Sequence, residues 1–168
     1  MQRNILRSII TSLFLASAVV LTACSSGAEA PKAPNFTLLN LEDKPVRLTD
    51  FSGQVVFINF FATYCPPCRV ELPDFVRLQE RYRDKGFVVL GISVDQDWEK
   101  VMPFFVKALK INFPVLRATP AVLKDYGDIF ALPTSFLIGR DGRIIKEFKG
   151  MVTENEIEPL IIAALSKK

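Results

Sequence analysis

Histidine is absent from the chain, which removes Ser-His and Cys-His catalytic pairs and histidine-ligated metal chemistry. Cysteines and carboxylates are left as the groups able to do chemistry. Cysteine itself is scarce, with 3 in 168 residues. A basic run is also missing: 21 basic and 18 acidic residues lie scattered, without interleaved aromatics, for a net charge of +3. That pattern argues against nucleic acid as a partner. What is plentiful is apolar: 49% hydrophobic content and 14 phenylalanines are ample for one packed domain without staples, expected to act as a monomer.

The cysteines are arranged with purpose. Cys65-Pro66-Pro67-Cys68 follows the apolar run Val55-Val56-Phe57-Ile58-Asn59-Phe60-Phe61 and precedes a stretch with helical spacing. A run of this length, rich in aromatic and β-branched residues, reads as a central strand buried on both faces. Ala62-Thr63-Tyr64 is then the loop into a helix, and both sulfurs fall in its first turn. Free N–H groups and the positive dipole end there favour an anion, so Cys65 is expected to be thiolate-rich near neutral pH. Cys68, three residues on, lies on the same face and can close a ring with it. Pro66 and Pro67 stiffen that ring and remove two N–H groups. A CxxC pair is also half of a zinc site, but two more ligands are needed. With no histidine and one other cysteine, a redox pair is the better reading, with no metal and no cofactor beyond a Cys65–Cys68 disulfide.

At the N-terminus, Arg3 and Arg7 precede the apolar stretch Ile9 to Leu21 and then small residues. This is signal-peptide architecture, with an h-region short for a membrane span; an uncleaved anchor helix also fits. Leu21-Thr22-Ala23-Cys24 resembles the bacterial lipobox, which implies removal of residues 1–23 and attachment of lipid to Cys24. Losing Arg3 and Arg7 takes the basic count from 21 to 19 against 18 acidic residues. Residues 24–33, small and polar, read as a lipidated tether spanning roughly 17 Å as a coil. The domain, 34–168, is thus expected at the extracytoplasmic face of a bacterial membrane, facing the periplasm where there are two, held to the bilayer by the acyl anchor.

Within the domain, Phe36–Leu39 and Pro45–Leu48 flank a turn and predict a hairpin. Arg69 to Lys85 carries Leu72, Phe75, Leu78 and Tyr82 at helical spacing, closed by Gly86 and bent by Pro73. Phe87 to Val94 is a second apolar strand, parallel to the first. Asp95 or Asp97 is the expected cap of a helix whose stripe is Trp98, Val101, Met102, Phe105 and Leu109. A brief strand at Phe113–Leu116 follows, then a short helix capped by Thr119 and started by Pro120. Asp141-Gly142 joins Pro133–Ile138 to Arg143–Phe148 as an antiparallel hairpin. Thr153 with Glu156 is a capping box for the last helix, although Pro159 leaves its first turns open. The elements predict an α/β fold with a mixed sheet.

The stretch Phe57 to Pro73, taken with Leu132-Pro133-Thr134-Ser135-Phe136-Leu137-Ile138 and Asp141-Gly142, resembles the thioredoxin superfamily. Within it the match is to the TlpA/ResA-like membrane-tethered thiol:disulfide oxidoreductases, over roughly Pro34 to Leu165. The resemblance implies a three-layer α/β/α thioredoxin fold with an N-terminal β-hairpin and an inserted strand-helix region. It implies Cys65 as exposed nucleophile, Cys68 as buried resolving thiol, and a cis Leu132-Pro133 bond facing the sulfurs. Tyr64, Pro66, Leu132 and Pro133 would line the substrate site. An isolated proline here also fits an edge strand or a turn. Glu71, three residues past Cys68, would move a proton as Cys68 attacks; a solvated helix glutamate reads the same in sequence. Asn59 stands where many thioredoxins carry a buried aspartate, so another group must move the proton, which supports that role for Glu71; a buried amide satisfied by backbone, with no chemistry, is the alternative.

The implied activity is reduction of protein disulfides, with the pair recharged by a membrane thiol electron donor. Several positions depart from the family. Tyr64 replaces the usual tryptophan, Leu132 replaces a β-branched residue, and Thr134 stands where the cytochrome-maturation branch often has glutamate, so that branch is not assigned. A thiol oxidase of the same fold is the alternative, since direction depends on reduction potential. A thiol peroxidase is disfavoured because Ile58 and Ala62 occupy the places of that group's proline and threonine. A copper carrier is disfavoured by the missing histidine.

Overall fold

The computed structural model describes residues 29–167, so the signal segment and Cys24 lie outside the described residues. A five-stranded sheet is built from β3 (Val55–Phe61), β4 (Phe87–Ser93), β5 (Val115–Arg117), β6 (Thr134–Ile138) and β7 (Ile144–Lys149), in the order β5-β4-β3-β6-β7. β4 pairs parallel to β3 and to β5, whereas β6 runs antiparallel to β3 and β7. All seven residues of β3 and of β4 are buried, which is why both read as unbroken apolar runs. At Gly91 an added Cβ would sit 3.1 Å from Phe61 Cε1 and 3.3 Å from Phe113 Cε2, so the strand needs a glycine there.

Helices α1 (Pro66–Tyr82), α2 (Trp98–Ala108) and α4 (Glu154–Ser166) cover one face of the sheet. Their contact layer holds Phe57, Phe61, Leu72, Phe75, Met102, Ile157 and Ile161. The opposite face, with Val56, Ile58 and Phe60, is covered by α3 (Pro120–Asp125) and by the hairpin β1 (Thr37–Leu39) and β2 (Pro45–Arg47). The three layers match expectation, and α2 with β5 forms the unit inserted between β4 and α3.

Local signals were good guides to the elements. Asp141-Gly142 turns the chain with Gly142 at φ 77°, and Thr119 Oγ1 accepts the Val122 N–H. The capping box Thr153–Glu156 is present, and α4 runs unbroken through Pro159. α1 begins at Pro66, at the cysteine turn as expected, but boundaries elsewhere moved by a residue or more: it passes into a 3-10 turn at Arg83–Lys85, and β5 starts at Val115. In α2 only Trp98 and Met102 of the expected stripe are fully buried.

Two expectations need correction. Neither aspartate caps α2 by its side chain: Asp97 occupies the N-cap without a side-chain bond, and Asp95 is turned inward. The described end of the tether is also part of the domain. Ile144 N–H donates to Pro31 O and Ala33 N–H to Gly142 O, each at 2.9 Å, with a Lys32–Arg143 bridge between them. This pinning uses backbone groups of the β6–β7 turn, which a local reading of small polar residues does not reveal.

Candidate active site

Three strand ends meet at one edge of the sheet. β3 and β4 finish there, and β6 starts there, because it runs against β3 with Thr134 opposite Phe60. The cysteine turn leaves β3 at this edge, and Pro133, just ahead of β6, sits at the same edge with its Leu132-Pro133 bond cis. Cys65 is the N-cap of α1, extended at φ −88° and ψ 108°, and is bonded to Cys68 as a disulfide with Cα atoms 5.3 Å apart. Pro66 and Pro67 have no N–H to offer, so the Cys68 N–H, 3.4 Å from Cys65 Sγ, is the helix-end donor that reaches this sulfur.

Cys68 is 0% exposed and Cys65 only 7%. The asymmetry has the expected sense, but the first sulfur is not openly exposed, because as N-cap it lies over the Cys68 N–H with the ring closed. Around it Tyr64 is 70% exposed, Pro66 is exposed, Leu132 half-buried and Pro133 buried. The Pro133 carbonyl accepts from Gly150 N–H at 2.9 Å, which brings the β7–α4 connection to the same edge.

Glu71 is not a solvated helix residue. It is 1% exposed, with Oε1 accepting from Asn59 Nδ2 at 2.8 Å and Oε2 from Val152 N–H at 3.0 Å. Burial pushes its carboxyl up to about 7; the Val152 and Asn59 donors pull the other way, and nearby Asp74 adds to the rise. Asn59 is not satisfied by backbone either: Nδ2 also donates to Ser135 Oγ at 2.9 Å, and Oδ1 has no partner among the described residues.

One group escaped sequence reasoning. Asp95 Oδ2 accepts from Thr63 N–H at 2.9 Å and from Ser93 Oγ at 2.7 Å, while Oδ1 accepts from Thr63 Oγ1 at 2.6 Å. A buried carboxylate thus ties down the loop two residues before Cys65. Its only sequence signal was an aspartate at a strand end. Among the described residues no group of three or more His, Cys, Asp or Glu is placed to hold a metal ion.

A CxxC disulfide at a helix start, beside a cis-proline strand on a mixed sheet, defines a dithiol–disulfide protein of the thioredoxin fold. A model of the AhpC/TSA family matches residues 30–147. The chain is similar to thiol-disulfide oxidoreductase ResA of Bacillus thuringiensis subsp. konkukian, 39% identical over 128 residues, 76% of this chain and 73% of the relative. It is 34% identical over 164 residues to ResA of Geobacillus thermodenitrificans, 94% and 93% of the two chains. Among solved structures, a thiol:disulfide interchange protein of the thioredoxin family from Chlorobium tepidum TLS superposes with TM-score 0.76 at 32% identity, covering 83% of this chain and 99% of that one. The chain therefore belongs to the AhpC/TSA family, as a thioredoxin-fold thiol-disulfide oxidoreductase of the ResA kind.

Proposed function

We propose that this oxidoreductase works as a reductase of protein disulfides, by attack through Cys65 and resolution through Cys68. The observation that carries the reading is the buried carboxyl of Glu71, one helix turn beyond the buried sulfur of the Cys65–Cys68 pair. Cys65 thiolate attacks a substrate disulfide, one substrate sulfur leaves as thiol, and a mixed disulfide forms. Cys68 gives its proton to Glu71 and attacks Cys65, which releases the second substrate thiol and leaves the disulfide described above. A dithiol donor at the membrane restores the reduced pair. Substrate backbone pairs beside Leu132-Pro133, where the Leu132 N–H and C=O have no backbone partner among the described residues, and Tyr64, next to Cys65 in the chain, is exposed to meet it.

The reading extends to placement. A lipid on Cys24 would hold the domain at an extracytoplasmic membrane face; among the described residues no helix is long and apolar enough to cross a membrane. The chain enters the domain at the Asp141-Gly142 turn, the end of the sheet opposite the cysteines, so an anchored domain presents its disulfide away from the bilayer. Mass spectrometry of the mature N-terminus tests the anchor. For the chemistry, Cys68→Ala should accumulate mixed disulfides through Cys65 with protein partners. No adducts with any partner would refute the mechanism.

A further inference from the structure

Among the described residues, Asn59 Oδ1 is the one buried side-chain polar atom without a hydrogen-bond partner. Buried acceptors are nearly always paired, so an orphan points to a donor that exists in another state of the molecule. In the closed disulfide neither sulfur carries hydrogen. Reduction by a dithiol breaks the S–S bond and transfers two electrons and two protons, one hydrogen to each sulfur, while the dithiol leaves as disulfide. Cys68 is fully buried, so its new S–H is a buried donor in need of an acceptor.

The placement of the groups matches that need. Asn59 lies on β3 two residues after Phe57, on the same strand face, and the Phe57 ring packs on Phe75 of α1 with centroids 5.0 Å apart. Its Nδ2 is 2.8 Å from Glu71 Oε1, and Glu71 stands one turn beyond Cys68 on the same face, where side chains are neighbours. Ser135, two residues after the cis proline, braces the amide from β6. We propose that Asn59 is a two-ended positioning residue: Nδ2, braced by Ser135, holds the Glu71 carboxylate, and Oδ1 accepts the Cys68 thiol hydrogen when the disulfide opens. The thiol proton is thereby held beside the carboxylate that takes it.

The inference rests on the proposed roles of Cys68 and Glu71. The groups bearing on Glu71 are few: Cys68 and Asp74 on α1, Asn59 on β3, and the Val152 N–H ahead of α4, with Asp74 itself paired to Arg77. Losing the Asn59 donor therefore moves the pH midpoint of mixed-disulfide resolution upward by roughly one pH unit. A merely structural amide would lower stability and leave the midpoint in place.

The decisive readout is the infrared S–H stretch of Cys68, isolated as the difference between full-length Cys65→Ser and Cys65→Ser/Cys68→Ser. It should sit at a hydrogen-bonded frequency, stay bonded when Asn59→Asp is added, and move to the free-thiol frequency with Asn59→Leu. An unchanged band in Asn59→Leu overturns the proposal. The unsubstituted chain gives a second test that needs no folding of the variant. The Asn59 side-chain carbonyl carbon resonance should move when the disulfide is reduced, and a fixed resonance overturns the proposal equally. If Cys68→Ala still traps partners while either test fails, only this inference falls; if trapping fails, the reading beneath it falls.

Discussion

Glu71 makes a prediction about stability that can be worked from its surroundings. Its carboxyl stands at about 7 in the folded chain against an ordinary value of 4.5, chiefly because burial disfavours the charged form. Below pH 4.5 the group is protonated whether the chain is folded or unfolded, and it adds no pH dependence. Between 4.5 and about 7 the unfolded chain releases the proton while the folded chain keeps it, so stability falls as pH rises. Above about 7 the cost is complete. At about 1.4 kcal/mol per pH unit the loss across this window is about 3 kcal/mol. Glu71→Gln cannot ionise. Its amide nitrogen must face either the Val152 N–H or Asn59 Nδ2, both donors, but that penalty is independent of pH. Urea unfolding of the oxidised protein at steps from pH 4 to 8 should therefore show the wild-type advantage over Glu71→Gln shrinking by about 3 kcal/mol as pH rises. Parallel curves for the two proteins would refute the assignment of a raised carboxyl at this position.

Resolution of a mixed disulfide, followed by stopped flow, should accelerate as pH rises through about 7, because only ionised Glu71 can take the Cys68 proton; Glu71→Gln should slow it by about 100-fold or more. Asp95→Ala removes the acceptor of the Thr63 N–H and of the Thr63 and Ser93 hydroxyls and should cost about 2 kcal/mol in denaturant unfolding, with faster exchange of the Thr63 amide. Gly91→Ala drives a methyl to 3.1 Å from Phe61 Cε1 and should cost about 1–3 kcal/mol, with no change in the midpoint of the resolution step.

The sequence disclosed whatever is encoded over a few neighbouring residues. β3 and β4 were legible because a strand covered on both faces is apolar throughout, and the β6–β7 turn because Asp-Gly suits a positive φ at Gly142. The capping box of α4 spans four residues and was legible for the same reason. The electrostatic surroundings of the cysteines were not, since they are made across the chain. Asp95 meets Thr63 from 32 residues away, Asn59 meets Ser135 from 76, and Val152 meets Glu71 from 81. A glutamate at i+3 on a helix reads the same whether solvent or a strand faces it, and here Asn59 on β3 and the Val152 N–H ahead of α4 close over it. The tether failed likewise: Ala33 looks like linker until Gly142 is found beside it.

The proline pair gives the cysteine turn a division of labour that follows from counting donors. The start of a helix normally offers several unpaired N–H groups to an anion, but Pro66 and Pro67 remove the first two. The next is Cys68 N–H, which reaches Cys65 Sγ, while the Arg69 N–H is taken by the Cys65 carbonyl. The backbone donor that steadies the attacking sulfur and the sulfur that later displaces the partner thus belong to one residue. Substitution of Cys68 by alanine keeps that N–H, so it should arrest the cycle at the mixed disulfide without disarming Cys65. Replacement of Pro67 would return one donor to the helix end and lower the proton affinity of Cys65, leaving Glu71 and its partners on the far side of Cys68 as they are.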